Sequence, residues 1–498
     1  MKFRDRKLGR RQMLATAGTC ALWAPLEQLN AGPVRRPQVA SAGGDNFAVG
    51  GDVSVQTALD ARPTVSALAS AIGGKMVGFE QTLAGAVRRT VSERLSETVS
   101  VKDFGAVGDG TTNDRAAIQA AFDSGARKVV FPRGIYKVTG GGFTVPNWLH
   151  VAGEGYGPTA VPGDSGVCIQ FDLTRGIALN CGFNPTFDNI YFTNVGGTYN
   201  ESTATLSGTT ASCLDLTDNV TMNYCSFAGW ETCVMFGSST FYVKTFGVEF
   251  NRCTNGYRTN GAAPYNVDIY APISRLTTNF FAGQSAHPAR NIKVHGGSIE
   301  GFTAVAFGFL DASFFGTYFE TIAQRSGAIA LAPDVDGASI TLVGCLIYMN
   351  YIARFANMSE ITNAMLTSVG NQYDGRGAAG AICICLPASG SVSVAGDRFG
   401  IEHSNGTLYV DSITNAAKFN GITFPVLPAK NTQAGYSGMA LIGQRGFVAV
   451  GLTIPPTQKT TGMTVMADGD SWDPLSRAAG RPYWVIWQGD RWHTVSGA

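Results

Sequence analysis

VSVKDFGAVGDGTTNDRAAIQAAFDSGARKVVFPRGIYKV, Val99 to Val138, is the stretch on which the fold turns. Val99 to Phe104 reads as a short strand, and Gly105, Gly108 and Gly110 mark a turn after it. A helix follows from Asp114 to Phe122. Asn113 or Asp114 is its expected cap, because a short polar side chain accepts the free amides of a first helical turn. Ala117, Ile118, Ala121 and Phe122 fall on one apolar face at helical spacing. Val129-Val130-Phe131 and Ile135-Tyr136-Lys137-Val138 then read as strands, with Pro132 and Gly134 at the turn between them.

Downstream, six segments share one register, in which a glycine is followed three residues later by an aromatic or aliphatic residue. They are TFGVEF (Gly247, Phe250), HGGSIE (Gly296, Ile299), FFGTYFE (Gly316, Phe319), LVGCLIY (Gly344, Ile347), SVGNQYD (Gly370, Tyr373) and VAGDRFG (Gly396, Phe399). The glycines recur at intervals of 49, 20, 28, 26 and 26 residues. One coil is thus roughly 20 to 28 residues, in the solenoid range, and the first interval spans two coils. NYCSF at 223–227 and DNIYF at 188–192 extend the series backwards. No such repeat can bury its apolar face alone, so stacking must supply the core. The reading is an all-β chain, a right-handed parallel β-helix over 99–419 with a short N-terminal capping helix. Phe250, Ile299, Phe319, Ile347, Tyr373 and Phe399 are expected to point inward in stacked rows.

The ordered wording FGAVGDGTTND…AIQAAF…FPRGIYKV resembles the entry segment of the pectate-lyase-like superfamily, where a short helix caps the open end of the solenoid. The run from Val65 to Leu95 has a helical pattern and enters directly into VSVKDFGAVGDG. That junction is similar to the neck preceding the β-helix in bacteriophage tailspike and capsule-depolymerase proteins. The resemblance implies a homotrimer acting on a polysaccharide.

Composition agrees with a turn-dense β architecture: 62 glycines, 45% hydrophobic residues and only 15% charged. The net charge of +1 and the lack of a basic block in the body of the chain give no sign of a nucleic-acid partner. The ten cysteines are scattered without paired C-x-x-C steps and the five histidines are dispersed, so no metal or cofactor is expected. The cysteines read as small buried hydrophobes, a few of which could pair if the protein is exported.

Residues 1–31 read as an export signal. Lys2, Arg4, Arg6, Lys7, Arg10 and Arg11 precede the apolar run Met13 to Ala24, which is too short to span a membrane. Arg10-Arg11-Gln12-Met13-Leu14 resembles a twin-arginine signal, with Gly9 where Ser or Thr is usual. Residues 32–98 form a linker and helical neck. Residues 420–498 read as a small β module holding four of the seven tryptophans, Trp472, Trp484, Trp487 and Trp492. A core or subunit contact suits them better than sugar stacking.

Register also locates candidate chemistry. Equivalent positions on successive coils lie one strand spacing apart, about 4.8 Å. The position four after each repeat glycine carries Asn251, Glu300, Glu320, Tyr348, Asp374 and Gly400. Glu300 and Glu320 follow the inward Ile299 and Phe319, so they point outward on adjacent coils. Carboxylates about 5 Å apart suit a retaining glycosidase, and a wider ~6.5–9.5 Å an inverting one. Like charges on neighbouring rungs cost stability, which favours use over accident. A solvated outward glutamate needs no function. Asp374 and Glu249 are the further catalytic candidates. Tyr318, Tyr348, Arg290, Lys293 and His295 are candidate substrate-binding residues, with Tyr191, Tyr351 and Tyr373 as further aromatics for sugar stacking. The segment around Glu320 resembles the aromatic-Glu coil of tailspike β-helices, where a glutamate often lies on the binding face. Asp103, Asp109 and Asp114 read as turn and helix-cap residues, and Asp334 and Asp336 as turn formers.

Three functions remain open at this point. One is a tailspike-like glycan hydrolase on a virion tail. Another is an exported bacterial polysaccharide lyase or hydrolase, with Arg290, Lys293, His295 and Tyr348 as lyase ingredients. The last is a non-catalytic glycan-binding fibre.

Overall fold

From Thr98 onward the chain winds, and each coil lays one strand in each of three parallel sheets. The computed structural model describes residues 63–70, 72–155, 166–237, 240–261, 264–374, 382–385, 390–395, 397–399, 408–410, 419–423, 464–467, 474–475, 483–488 and 490–494. Among these the sheets hold 11, 13 and 12 strands. One coil shows the path. Glu249–Asn251 lies in the twelve-stranded sheet, Asn255–Thr259 in the eleven-stranded and Val267–Tyr270 in the thirteen-stranded one. Ile273–Arg275 then returns beside Glu249–Asn251. This is a right-handed parallel β-helix, the hand that strand–crossover–strand connections take.

The predicted rows point inward. Phe250, Ile299, Phe319, Ile347 and Tyr373 are fully buried, and Ile299, Phe319, Ile347 and Tyr373 are register partners on successive rungs. Phe399 pairs with Tyr373 along the backbone, but its side chain lies outside the described residues. Higher up the same row, Phe192 stacks on Phe227 at 5.3 Å and Phe227 meets Phe250 at 5.6 Å.

The repeat glycine has one conformational task. It turns the corner between the thirteen- and twelve-stranded sheets in the left-handed region, at φ 59° for Gly247, 66° for Gly296 and 61° for Gly316, where a Cβ is disfavoured. The 49-residue interval hides a coil in which Ala271 takes that corner instead, at φ 47°. Its inward residue is Ser274, paired with Phe250 on one side and Ile299 on the other.

At the entry end, helix Arg115–Phe122 buries Ile118, Ala121 and Phe122 over the first coil. Phe122 meets Phe131 and Phe143 edge-on, at 6.3 and 5.6 Å. Two local expectations are corrected. The expected strand Val99–Phe104 is a strand only over Thr98–Ser100; Val101–Phe104 is a 3-10 turn. A reciprocal cap between Ser100 and Asp103 and the left-handed Gly105 wind it up. Asp114 sits at the helix N-cap without bonding the helix. Its buried carboxylate instead accepts from Val107 N and Gly108 N, at 2.7 and 3.0 Å, and locks the glycine turn. Asn113 Oδ1 accepts from Arg115 N at 3.3 Å. Asp109 is a turn residue, accepting from the amides of Thr111 and Thr112.

The expected helical run from Val65 to Leu95 is three short helices, Val65–Leu68, Gly73–Met76 and Val91–Leu95. The first two belong to one compact unit, Met1–Met76, and the third to the other, Val77–Ala498. Ahead of the third helix, Gly78–Phe79 and Arg89–Thr90 pair antiparallel. Gly78 and Gly85 fall between the helices, where a helix interior would cost roughly 1 kcal/mol for each glycine. The expected signal over 1–31 lies outside the described residues. In the C-terminal segment, Thr464–Ala467, Tyr483–Gln488 and Arg491–Thr494 form an antiparallel sheet in which the Trp487 and Trp492 rings meet edge-on at 5.2 Å. Trp472 and the Trp484 side chain lie outside the described residues. The nine described cysteines are buried, and burial pushes the Cys168 thiol up to about 12. Among the described residues no helix is long and apolar enough to cross a membrane, and no cluster of His, Cys, Asp or Glu could hold a metal.

Candidate active site

From Glu249–Asn251 to Gln372–Asp374 the twelve-stranded sheet is built from three-residue strands whose middle residue points inward, so each strand shows two side chains outward. Successive rungs turn these into two parallel columns. One reads Glu249, Ile273, Ser298, Tyr318, Leu346, Gln372; the other Asn251, Arg275, Glu300, Glu320, Tyr348, Asp374.

Glu300 and Glu320 are register partners, one rung of about 4.8 Å apart. Each carboxylate is held by the other outward residue of its own strand. Ser298 Oγ donates to Glu300 Oε1 at 2.5 Å, and Tyr318 Oη donates to Glu320 Oε2 at 2.6 Å. Gln372 Nε2 does the same for Asp374 Oδ2 at 3.0 Å. The Tyr318 phenol is pushed well above its usual range, first by burial and then by the charges of Glu320 and Glu300. It therefore stays a proton donor to Glu320 at any ordinary pH.

Arg275 was missed. It occupies the carboxylate column one rung from Glu300, on the coil that the glycine repeat skips. Its Nη1 lies 3.7 Å from Glu249 Oε1. Together Asn251, Arg252, Arg275, Leu276, Glu300, Gly301 and Ile322 line a cleft of about 270 Å³. Ser298 and Gln372, the hydrogen-bond donors to Glu300 and Asp374, were missed too; their place two residues before each carboxylate was the available sequence signal, since alternation puts both on one face.

Glu249 shares the outward face yet is only 7% exposed. Burial raises its pKa above the ordinary 4.5, and the nearby Arg275 offsets this only in part. Folded Glu249 thus binds its proton more tightly than the unfolded chain does. Its contribution to stability is present below pH 4.5 and is lost as pH rises through the higher folded value. Glu249→Gln is expected to flatten that decline, read as denaturation midpoint against pH. An unchanged profile would show that this carboxyl does not set it.

The remaining candidates are placed elsewhere. Lys293 and His295 lie on the strand Ile292–His295 of the thirteen-stranded sheet, and Arg290 just before it. The left-handed corner at Gly296 separates them from Glu300, so the structure does not bring them to the carboxylates. Arg290 lies over the Tyr265 ring at 5.6 Å. His295 is sandwiched between Tyr270 and Phe315, at 4.7 and 5.0 Å and nearly parallel to both. With both faces covered, its ring has no face left for a sugar. Tyr373 is inward and fully buried, which removes it from the aromatic candidates. Tyr348 does lie beside Glu320. Tyr191 is mostly buried, which lifts its phenol to about 12, whereas Tyr351 stays exposed. Asp336 is a turn residue, accepting from Thr362 N at 2.8 Å.

Comparison with known proteins adds the following. The family model described as rhamnogalacturonase A/epimerase, pectate lyase-like, matches residues 98–171. The tail spike protein of an Escherichia phage is 50% identical over 56 residues, 11% of this chain and 7% of that protein. The mannuronan C5-epimerase AlgE2 of Azotobacter vinelandii is 43% identical over 72 residues, 12% of this chain and 7% of that protein. The chain thus spans less than a tenth of the length of these relatives. Among solved structures, tailspike protein 3 of bacteriophage CBA120 aligns over 90% of this chain and 77% of its own, at 14% identity and a TM-score of 0.37. A tailspike protein of E. coli bacteriophage HK620 aligns over 72% and 71%, at 12% identity and a TM-score of 0.47. The family-model match ends well before the carboxylate column. The chain is thus a parallel β-helix whose entry segment is similar to pectate-lyase-like proteins and to a phage tail spike protein.

Proposed function

We propose that the protein cleaves glycosidic bonds in a surface, capsular or extracellular polysaccharide, with Glu300 and Glu320 as its acid–base pair. The observation that carries this is two outward carboxylates on adjacent rungs, each with its own hydrogen-bond donor, one of which, Glu300, lines a cleft. Glycoside hydrolysis needs two carboxyl groups flanking the scissile bond, one to protonate the leaving oxygen and one to act as nucleophile or base. Rung spacing of about 4.8 Å is near the ~5 Å separation of retaining enzymes. Glu320, with Tyr318 and Tyr348 beside it, is assigned as the acid, and Glu300 as its partner. Asp374 extends the column as a glycan contact.

Arg275 favours a second reading, elimination from a uronate. A guanidinium one rung from Glu300 is a partner for a sugar carboxylate; Tyr348 would then take the C5 proton, and Tyr318, which stays protonated, would give one to the leaving oxygen. One experiment separates the two. The protein is incubated with a glycan panel while reducing ends and the ultraviolet absorbance of unsaturated uronides are followed. Reducing ends alone mean hydrolysis, both signals mean elimination, and neither means a binding fibre. We also propose a homotrimer, on a virion tail or exported. Light scattering tests the assembly, and a mature N-terminus near residue 32 in a periplasmic fraction identifies export.

A further inference from the structure

Beside the cleft lies a buried arginine that the proposed chemistry does not use. Arg325 closes the 3-10 turn Ala323–Arg325 and is 7% exposed. Its Nη1 donates to Gly301 O, and its Nη2 to Ala204 O at 2.6 Å, Leu276 O at 3.0 Å and Thr278 Oγ1 at 3.1 Å. Only the forked guanidinium has enough fixed donors to serve so many acceptors at once. Ala204 is 121 residues away in sequence. It ends the tip of a hairpin, Thr198–Asn200 with Thr205–Ser207, inserted within one coil between its strands Tyr191–Asn194 and Ser212–Leu216. The base of this hairpin is clasped by Asn194, which bonds Leu173 and Thr209.

Between base and tip the hairpin lies along the solenoid as a strap. Glu201 Oε1 accepts from Arg252 Nε at 2.7 Å, and the Arg252 guanidinium lies over the Tyr199 ring at 5.7 Å. Tyr199 Oη reaches Leu276 O. Arg252, Leu276 and Gly301, three of the residues lining the cleft, are therefore each held by the strap or by its pin. Arg252 itself sits in the left-handed region at φ 55°, so its orientation depends on these partners.

We propose that the 198–207 strap is the specificity wall of the carboxylate cleft and that Arg325 is the positioning residue that fixes it. This rests on the glycan-cleaving reading of that cleft. The strap holds the Arg252 guanidinium at the cleft edge, where it donates to hydroxyl or carboxylate oxygens of the sugar next to the one being cut. Arg325 touches no substrate. It acts by keeping the strap down.

The test uses the full chain with Arg325→Met and Arg325→Lys, and reads two quantities. Limited proteolysis within 198–207 is expected to speed up about tenfold in the Met variant, because the charge-assisted hydrogen bond that pins Ala204 of the strap is lost. On a glycan that the unaltered protein cleaves, KM is expected to rise by about tenfold with kcat nearly kept, the signature of lost uniform binding. Lys should restore part of both, since one ammonium can reach some of the carbonyls. If the Met variant fails to fold, a chain with 198–207 replaced by two glycines gives the KM arm. Gly197 and Gly208 already face each other at the strap base. Unchanged proteolysis overturns the pin, and faster proteolysis with unchanged KM overturns the wall. No cleavage by the unaltered protein overturns the glycan reading, and the wall with it.

Discussion

Glu320→Gln is expected to lower turnover by about a hundredfold or more while the β-helix stays folded. The substitution keeps the shape of the side chain and the acceptor oxygen that Tyr318 Oη reaches, but removes the ionisable proton. Positioned acid–base groups typically supply 10²–10⁴ in rate, roughly the loss expected here. Stability should change by no more than about 0.5 kcal/mol, because the side chain is outward and only half-buried. Rates on the cleaved glycan and a melting curve are the two measurements. Near-normal turnover in a folded variant would remove Glu320 from the acid role and move the search to Asp374 or Glu249.

One residue earlier, the same strand makes the opposite expectation. Phe319→Ala should cost about 3–5 kcal/mol, the range for deleting a fully buried aromatic ring. Phe319 is 0% exposed. Its ring meets Phe314 at 5.4 Å and Phe355 at 5.0 Å, both edge-on, and the rung neighbours Ile299 and Ile347 close it above and below. In a solenoid each coil contacts only its neighbours, so the void left there has few alternative side chains to fill it. The loss is read as a shift in denaturation midpoint. A cost below about 1 kcal/mol would mean that the inward row does not carry the core. The adjacent pair Phe319 and Glu320 thus separates folding from chemistry within one strand.

How much of this was legible follows the chain's own periodicity. The inward row was legible because every coil repeats a left-handed corner glycine followed by a large apolar residue, and stacking imposes the same register on each. Where the corner is Ala271 rather than glycine, the signal vanished, and Arg275 went with it. Grouping Arg290, Lys293 and His295 with Glu300 failed for a related reason. Five residues along the chain are a short path, but the corner at Gly296 sends the two ends to different sheets. Asp114 was placed correctly at the helix start and given the wrong partner, because its acceptors are satisfied by a turn six and seven residues upstream.

The sequence by itself determined the solenoid, its coil length and the adjacency of Glu300 and Glu320, since all three depend only on register, which a periodic chain writes out residue by residue. Tertiary structure alone decided which outward side chains share a cleft, that Glu249 is buried, and that a strap from residue 198 onward is pinned by Arg325. Those facts depend on contacts between coils and on an inserted hairpin, whose partners lie up to 121 residues away and leave no period to read.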